Sequence, residues 1–562
     1  MADQKLFSEH IYSTKFQEEF KKHWHSHRDF MDANLEIISK PFKVCRISNF
    51  LRDKKILENL KSELKRHDHT RKVLDLYQFE KTEDLLYSTD KYIRMLSRSF
   101  QKDLRSWMSR NTNIELNEKI LMSSACYRNT DRLLCHDDNM IDRRIAYILY
   151  LTDDWSEEDG GALDLFDVDE EGLPRKVVKS LIPEYNSLVF FEVVENSYHQ
   201  VAEVLAHDKC RWSINGWFHG PLKKDFHKPP RREPAKTFLE PSPTEVNLHS
   251  SISSDYLEPN IIEQIQEDVE MTSYTFLKNF LKESVYQQIA NDLTSQDINW
   301  RMIGPADIRH YEIADEQTLP KPLKDICDLF KSISFFQLLK KYTGLDLVPE
   351  KTKKPKMTLE LQRWSSGCYT LLYDKSLLKD TSDDLTQALI SDFSTSEVNP
   401  DTNKTRQELK RGRIDDLPSP GNSSDKRKIA RYLDSQSDVG THSSKHEHSV
   451  DVDETSSSSD EKLSRSDTLA NDSEDDCASE NGEFLLDVII QFHTQDVKGT
   501  LKTEETMDFV DPGAEEGIMI EIPMQDNHLC LVYRSAMVCR LQKYLNHFYD
   551  GYSYTFICTY HE

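Results

Sequence analysis

The segment Leu133-Leu134-Cys135-His136-Asp137-Asp138 sets a histidine and a carboxylate two residues apart, where a strand-like run begins. Side chains at i and i+2 of a strand share a face, so His136 and Asp138 can converge on one ion. A second histidine, His199, lies on a strand-like run well downstream. Two imidazoles and one carboxylate, with open positions opposite, form the ligand set of a non-haem Fe(II) oxygenase. The triplet alone is weak. With 20 His and 98 acidic residues in 562, roughly three to four His-x-acid triplets arise from composition. One decoy, His27-Arg-Asp29, sits in helical sequence, where i and i+2 do not face each other. His67-Asp-His69 and His446-Glu-His448 stand among polar residues and read as solvated surface.

Three more residues fall on neighbouring runs. Arg211 follows His199 by 12 residues, within Cys210-Arg-Trp-Ser213. An arginine there could clamp a dicarboxylate co-substrate through a bidentate pair. Tyr150, on the run after the triplet, could donate its hydroxyl to the same carboxylate, and Tyr127, on the run before, could contact the co-substrate near the metal. Taken singly, Arg211 reads as a surface ion pair and the tyrosines as core aromatics. It is their joint placement that favours the site.

The elements that must position these residues change character along the chain. Charged sequence with Phe16, Phe20, Trp24 and Phe30 at helical spacing predicts an amphipathic helix over Ser13–Leu35, and Leu51–Arg110 also reads as helical. After Leu121, short β-branched and aromatic runs dominate: Met122–Arg128, Arg144–Leu151, Ala162–Phe166, Val177–Leu181, Ser187–Val194, His199–Val204 and Arg211–Phe218. A proline-rich stretch, Lys228–Pro243, reads as a linker. Helical sequence returns over Ile261–Leu345, then strand-like runs at Met357–Gln362, Tyr369–Tyr373, Phe484–Phe492, Ile518–Ile522, Leu529–Tyr533 and Tyr554–Tyr560. Between Asp380 and Asn481 the chain is rich in Ser, Asp and Glu. Asp451–Gly482 alone holds 11 acidic residues against 2 basic ones, a composition that predicts disorder. Lys410-Arg-Gly-Arg413 and Lys426-Arg-Lys428 there could serve nuclear import or simply balance charge, and Ser456–Asp460 could accept phosphate. Removing 380–481 is expected to leave activity largely intact.

The two β-rich parts echo each other. Asn186-Ser-Leu-Val-Phe-Phe-Glu leads after 13 residues to His199, and Asn527-His-Leu-Cys-Leu-Val-Tyr leads after 13 to Arg540. Aligned in this way, Tyr373 stands for His136, Lys375 for Asp138, Arg540 for His199 and Tyr552 for Arg211. The second part loses all three ligands. The sequence therefore predicts an α+β protein of two tandem copies of one all-β sandwich or barrel fold, each flanked by helices, the second degenerate. Expected bounds are 1–236, a linker at 237–260, and 261–562 with the acidic insert near 380–481.

Composition narrows the function. A formal charge of −26 weighs against direct nucleic-acid binding and suits a basic partner. No run approaches the roughly 18–20 apolar residues of a membrane helix. The N-terminus shows no secretory pattern and the ten cysteines no Cys-x-x-Cys, which predicts reduced thiols in the nucleus or cytoplasm.

The combination of Leu134-Cys-His-Asp-Asp, Arg143-Arg-Ile-Ala-Tyr-Ile-Leu-Tyr-Leu, Ser180-Leu-Ile-Pro, Leu188-Val-Phe-Phe-Glu, His199-Gln-Val and Gly216-Trp-Phe-His-Gly resembles the 2-oxoglutarate- and Fe(II)-dependent prolyl 3-hydroxylases of a small-subunit ribosomal protein. The likeness extends to Arg363-Trp-x-x-Gly-x-Tyr-Thr-Leu, and implies that the two copies are tandem double-stranded β-helix (jelly-roll) domains, the first active and the second inactive. It implies His136, Asp138 and His199 as iron ligands, Arg211 on the distal carboxylate of 2-oxoglutarate with Tyr150 assisting, and Tyr127 beside them. It also implies O₂ as co-substrate, ascorbate in support, and a proline of the basic decoding-centre protein as target. Two alternatives stand beside it: the same chemistry on another basic protein, and a binding scaffold without catalysis.

Overall fold

The computed structural model describes residues 6–223, 237–350, 354–372, 484–496, 498–512 and 517–562. The acidic insert with its basic clusters, serine run and His446-Glu-His448, together with Tyr373 and Lys375, lies outside the described residues.

Eight strands form the centre of the first half: β1 Ile120–Tyr127, β2 Arg132–His136, β3 Arg143–Tyr150, β4 Leu163–Val168, β5 Pro174–Leu181, β6 Leu188–Glu192, β7 His199–Val201 and β8 Arg211–His219. All pair antiparallel, in the order β6-β3-β8-β1 on one side and β2-β7-β4-β5 on the other. Strand Tyr77–Lys81 joins the sides by pairing with both β1 and β2. The inner faces meet where Leu163 and Leu165 of β4 pack against Ala146, Tyr150 and Trp217. This is a double-stranded β-helix, closed by its own side chains. On the outer face Ile145, Tyr147 and Leu149 pack beneath helices, so β3 is apolar on both sides and reads as a continuous run.

Helix Thr14–Ser26 buries Phe20 and Trp24 against this outer face, ending at His27 in a left-handed conformation (φ 52°). The helix is thus shorter than Ser13–Leu35, and Phe30 opens a strand instead. Leu51–Arg110 likewise holds helices Lys54–Leu64, Lys91–Ser99 and Arg105–Thr112, but also strands Thr70–Val73 and Tyr77–Lys81.

The second half repeats the strand count after its own helices. Its strands are β9 Lys356–Trp364, β10 Tyr369–Thr370, β11 Phe484–Phe492, β12 Met507–Val510, β13 Ile518–Ile522, β14 Leu529–Ser535, β15 Cys539–Gln542 and β16 Ser553–His561. Their order is β14-β11-β16-β9, with β13-β12-β15 apart. Adding eight to each label of the first half reproduces this order except at β10, which pairs with Arg309–Ala314 and not with β15. Ile261–Leu345 is not wholly helical, since strands Tyr274–Leu277, Trp300–Ile303 and Arg309–Ala314 interrupt it. Residues 237–260 run against this half rather than free of it: Leu239 bridges to Met357, and Ile252 is fully buried.

One local device recurs. Asn186 adopts φ 58°, and its side chain bonds both the N–H and the C=O of Leu51, at 2.8 and 2.9 Å. Asn527 adopts φ 54° and does the same to Leu281, at 2.9 Å each. Asparagine tolerates this left-handed backbone and supplies both partners. Taking these residues as equivalent, His199 faces Leu165 and Arg540 faces Phe509 across corresponding strand pairs. The same register sets Ser553 opposite Trp364, as Arg211 is opposite Tyr127. The counterpart of Arg211 is therefore Ser553 and not Tyr552, because the connection before β16 is one residue longer.

Candidate metal centre

β2 ends at His136, and Asp138 lies beyond it with φ 56°. The two side chains therefore meet through a left-handed turn and not through strand alternation as the sequence implied. β7 begins at His199, which pairs directly with His136. The result is compact. His136 Nε2 lies 3.8 Å from Asp138 Oδ1, His199 Nε2 lies 3.6 Å from Oδ2, and the three ligand atoms fall within 4.8 Å of one another.

Backbone carbonyls fix the imidazole tautomers. His136 Nδ1 is 2.8 Å from the Leu134 carbonyl, and His199 Nδ1 is 2.8 Å from that of Ser197. A carbonyl only accepts, so each Nδ1 carries the hydrogen and each Nε2 presents a lone pair to the common centre. Burial and the neighbouring His136 push the His199 pKa down to about 4, keeping that ring neutral. Burial raises the Asp138 pKa, but His136, Arg143, His199 and Trp217 outweigh it and hold the carboxyl below its ordinary value. Two imidazoles and a carboxylate form a donor set that fits a divalent iron.

Sequence reasoning missed the residues that aim Asp138. Arg143 Nη1 donates to its Oδ1 at 3.1 Å, Trp217 Nε1 donates to Oδ2 at 3.0 Å, and the guanidinium stacks 3.7 Å from the indole ring. Both stood inside the quoted motifs, but contact across strands leaves no mark on spacing.

Arg211 is 1% exposed. Its Nε donates to the Gly161 carbonyl at 2.7 Å and its Nη2 to the Tyr150 hydroxyl at 3.2 Å. The rings of Tyr127 and Tyr150 lie 5.1 and 5.0 Å from the guanidinium carbon. Among the described residues no carboxylate comes within ion-pair range of it. A buried, uncompensated cation is costly and suits an anionic guest. Gly161 (φ +64°) makes room for it, since a Cβ there would stand 2.9 Å from Arg211 Cδ.

The decoys stay apart. Asp29 accepts from Ser39, and His67 pairs with Asp90 at 2.9 Å. The His136, Asp138 and His199 group is the only such metal cluster among the described residues.

A double-stranded β-helix with this triad at its mouth and a buried arginine behind it defines the class of non-haem iron oxygenases. Residues 122–219 match the 2OG-Fe(II) oxygenase superfamily, and residues 245–562 match the family described as oxoglutarate and iron-dependent oxygenase degradation C-term. The chain is similar to prolyl 3-hydroxylase OGFOD1 of Mus musculus, with 39% identity over 350 residues covering 61% of this chain and 62% of that protein. It is also similar to prolyl 3-hydroxylase OGFOD1 of Xenopus laevis (36%, 63% of this chain, 74% of that one) and to prolyl 3-hydroxylase sudestada1 of Drosophila melanogaster (32%, 60% and 65%). The match thus spans less than two thirds of the mouse and fly proteins. The chain belongs to the prolyl 3-hydroxylase family of 2-oxoglutarate- and iron-dependent oxygenases. No helix among the described residues is long and apolar enough to cross a membrane.

Proposed function

We propose that the chain is an Fe(II)- and 2-oxoglutarate-dependent dioxygenase that hydroxylates C3 of a proline in the basic, decoding-centre protein of the small ribosomal subunit, in nucleus and cytoplasm. One observation carries the chemistry: three convergent ligand atoms share a barrel with a buried arginine that has no carboxylate partner among the described residues. His136, Asp138 and His199 would hold the iron, which, with 2-oxoglutarate and O₂, supplies oxidative decarboxylation to succinate and CO₂ and the oxygen placed on proline. Ascorbate would keep the metal reduced.

The chain's own residues do the positioning. Arg211 grips the distal carboxylate of 2-oxoglutarate. Tyr150 accepts from Arg211, which leaves its own hydroxyl proton to donate to that carboxylate. Tyr127 walls the guanidinium on another side. Arg143 and Trp217 each hold one oxygen of Asp138, which limits how the carboxylate can turn toward the metal. A charge of −26 steers a cationic protein substrate.

The second half is read as a degenerate copy of the first. Arg540 takes the place of His199, and beside it Arg534 donates to Asp487 at 2.7 Å within the core. Two guanidiniums there repel a divalent cation.

The test is mass spectrometry of a proline-containing peptide from that ribosomal protein, incubated with the chain, Fe(II), 2-oxoglutarate and O₂, beside a His199→Ala control. A gain of one oxygen in the wild type alone is expected. Succinate without oxygen on the peptide would mean a different substrate, and neither product would leave a non-catalytic scaffold.

A further inference from the structure

The strands carrying the two histidines, β2 and β7, are short. β7 has 3 residues, and it meets β2 only at His199–His136 and Val201–Leu133, with a register shift between. β7 also pairs with β4, and β2 with Tyr77–Lys81, and beyond these both strands contact the second half. Leu134 packs with Tyr369 and Leu371, and Cys135 and Tyr198 pack with Ala306. The Arg132 guanidinium lies 4.2 Å from the ring of Tyr544.

Glu203, just past β7, is the hub. It is 9% exposed, and its carboxylate accepts from the Tyr544 hydroxyl at 3.1 Å, the His547 backbone N–H at 3.1 Å and His547 Nδ1 at 2.8 Å. Its backbone carbonyl accepts from Gly161 N–H at 2.9 Å, and the Gly161 carbonyl in turn holds Arg211. One loop of the second half, residues 543–549, therefore grips a residue joined to an iron strand and to the co-substrate clamp. A buried carboxylate takes the position its donors impose, because leaving it unbonded is expensive.

We infer that Tyr544 and His547 are positioning residues for the metal centre: through Glu203 and Arg132 they hold β2 and β7 at the separation that brings His136 and His199 onto one ion. This rests on the reading of His136, Asp138 and His199 as ligands. The second half, whose described residues hold no such ligand cluster, completes the iron site of the first.

Full-length wild type, His199→Ala, Tyr544→Phe, His547→Ala and His547→Asn are titrated with Mn(II) as the probe, and thermal melting is followed alongside. His547→Ala is expected to weaken Mn(II) binding by about tenfold, in the range for residues that orient metal ligands. His547→Asn, whose amide N–H can replace the Nδ1 donor, restores most of it. Tyr544→Phe, which removes only a hydroxyl, weakens binding by a smaller factor without lowering the melting temperature. Wild-type affinity in His547→Ala and Tyr544→Phe, with His199→Ala impaired, overturns the positioning role. If His199→Ala binds as wild type does, it is the ligand assignment that fails.

Discussion

Arg211 and Trp217 show how differently two residues of one strand serve the site. Arg211 carries a charge that the described residues do not balance. Arg211→Ala is expected to raise the KM for 2-oxoglutarate by about a hundredfold, the scale of a lost buried bidentate pair, while Mn(II) affinity stays put. Equal loss of both would show that the arginine supports the fold and not the co-substrate. Trp217 bonds Asp138 instead. Trp217→Phe keeps a ring beneath Arg143 but deletes the Nε1 donor to Asp138, so Mn(II) affinity should fall about tenfold with the 2-oxoglutarate KM little changed. His136, Asp138, His199, Arg211, Tyr150 and Tyr127 could all be picked from residue type, spacing and resemblance. The geometry that joins them could not. Asp138 reaches its partners by a positive φ, and Arg143 reaches Asp138 across a turn, neither of which a strand pattern encodes. The ligands are also more enclosed than an open site suggests: Asp138 and His199 are buried.

At the level of elements, the repeat was visible because Asn186 and Asn527 each open a strand and precede His199 and Arg540 by equal lengths. The structure gives the asparagines a shared task, tying β6 to Leu51 and β14 to Leu281. Asn527→Ala loses two hydrogen bonds and leaves a β-carbon-bearing residue at φ 54°, a destabilisation of about 2 kcal/mol or more in denaturant melts. A change below the error of such melts would show the tie to be dispensable. Most strands of the first half were legible from aromatic and β-branched runs. Tyr77–Lys81 was not, since five residues embedded between helices carry too short a period to register, although this strand links the two sides of the barrel. Met507–Val510 and Cys539–Gln542 escaped because four residues are too few to show an alternation.

Across the whole molecule, the two halves meet the need for positive charge in different ways. The first assembles ligands for a cation, and the second builds its own from Arg534 and Arg540 around Asp487. Metal analysis of the full chain should therefore give one Mn(II) or Fe(II) per chain, and two would contradict the degenerate reading. Burial would raise the Asp487 pKa, but the two arginines outweigh it and bring it down to about 2. A depressed carboxyl stabilises the folded state above its unfolded pKa of 3.8 and loses that contribution as pH falls toward 2. Stability of the second half should thus decline by on the order of 2 kcal/mol between pH 4 and 2, read by denaturant melts at stepped pH. A flat profile across that window would mean the pair contributes nothing. The loop holding Tyr544 and His547 begins just after β15, the strand that bears Arg540. Because a guanidinium is not removed by a chelator, this scaffold should stay set when iron is withdrawn, with the melting temperature of the second half unchanged by chelation. A depleted molecule thus keeps the frame against which its empty ligands are held, and should refill on mixing without first having to refold.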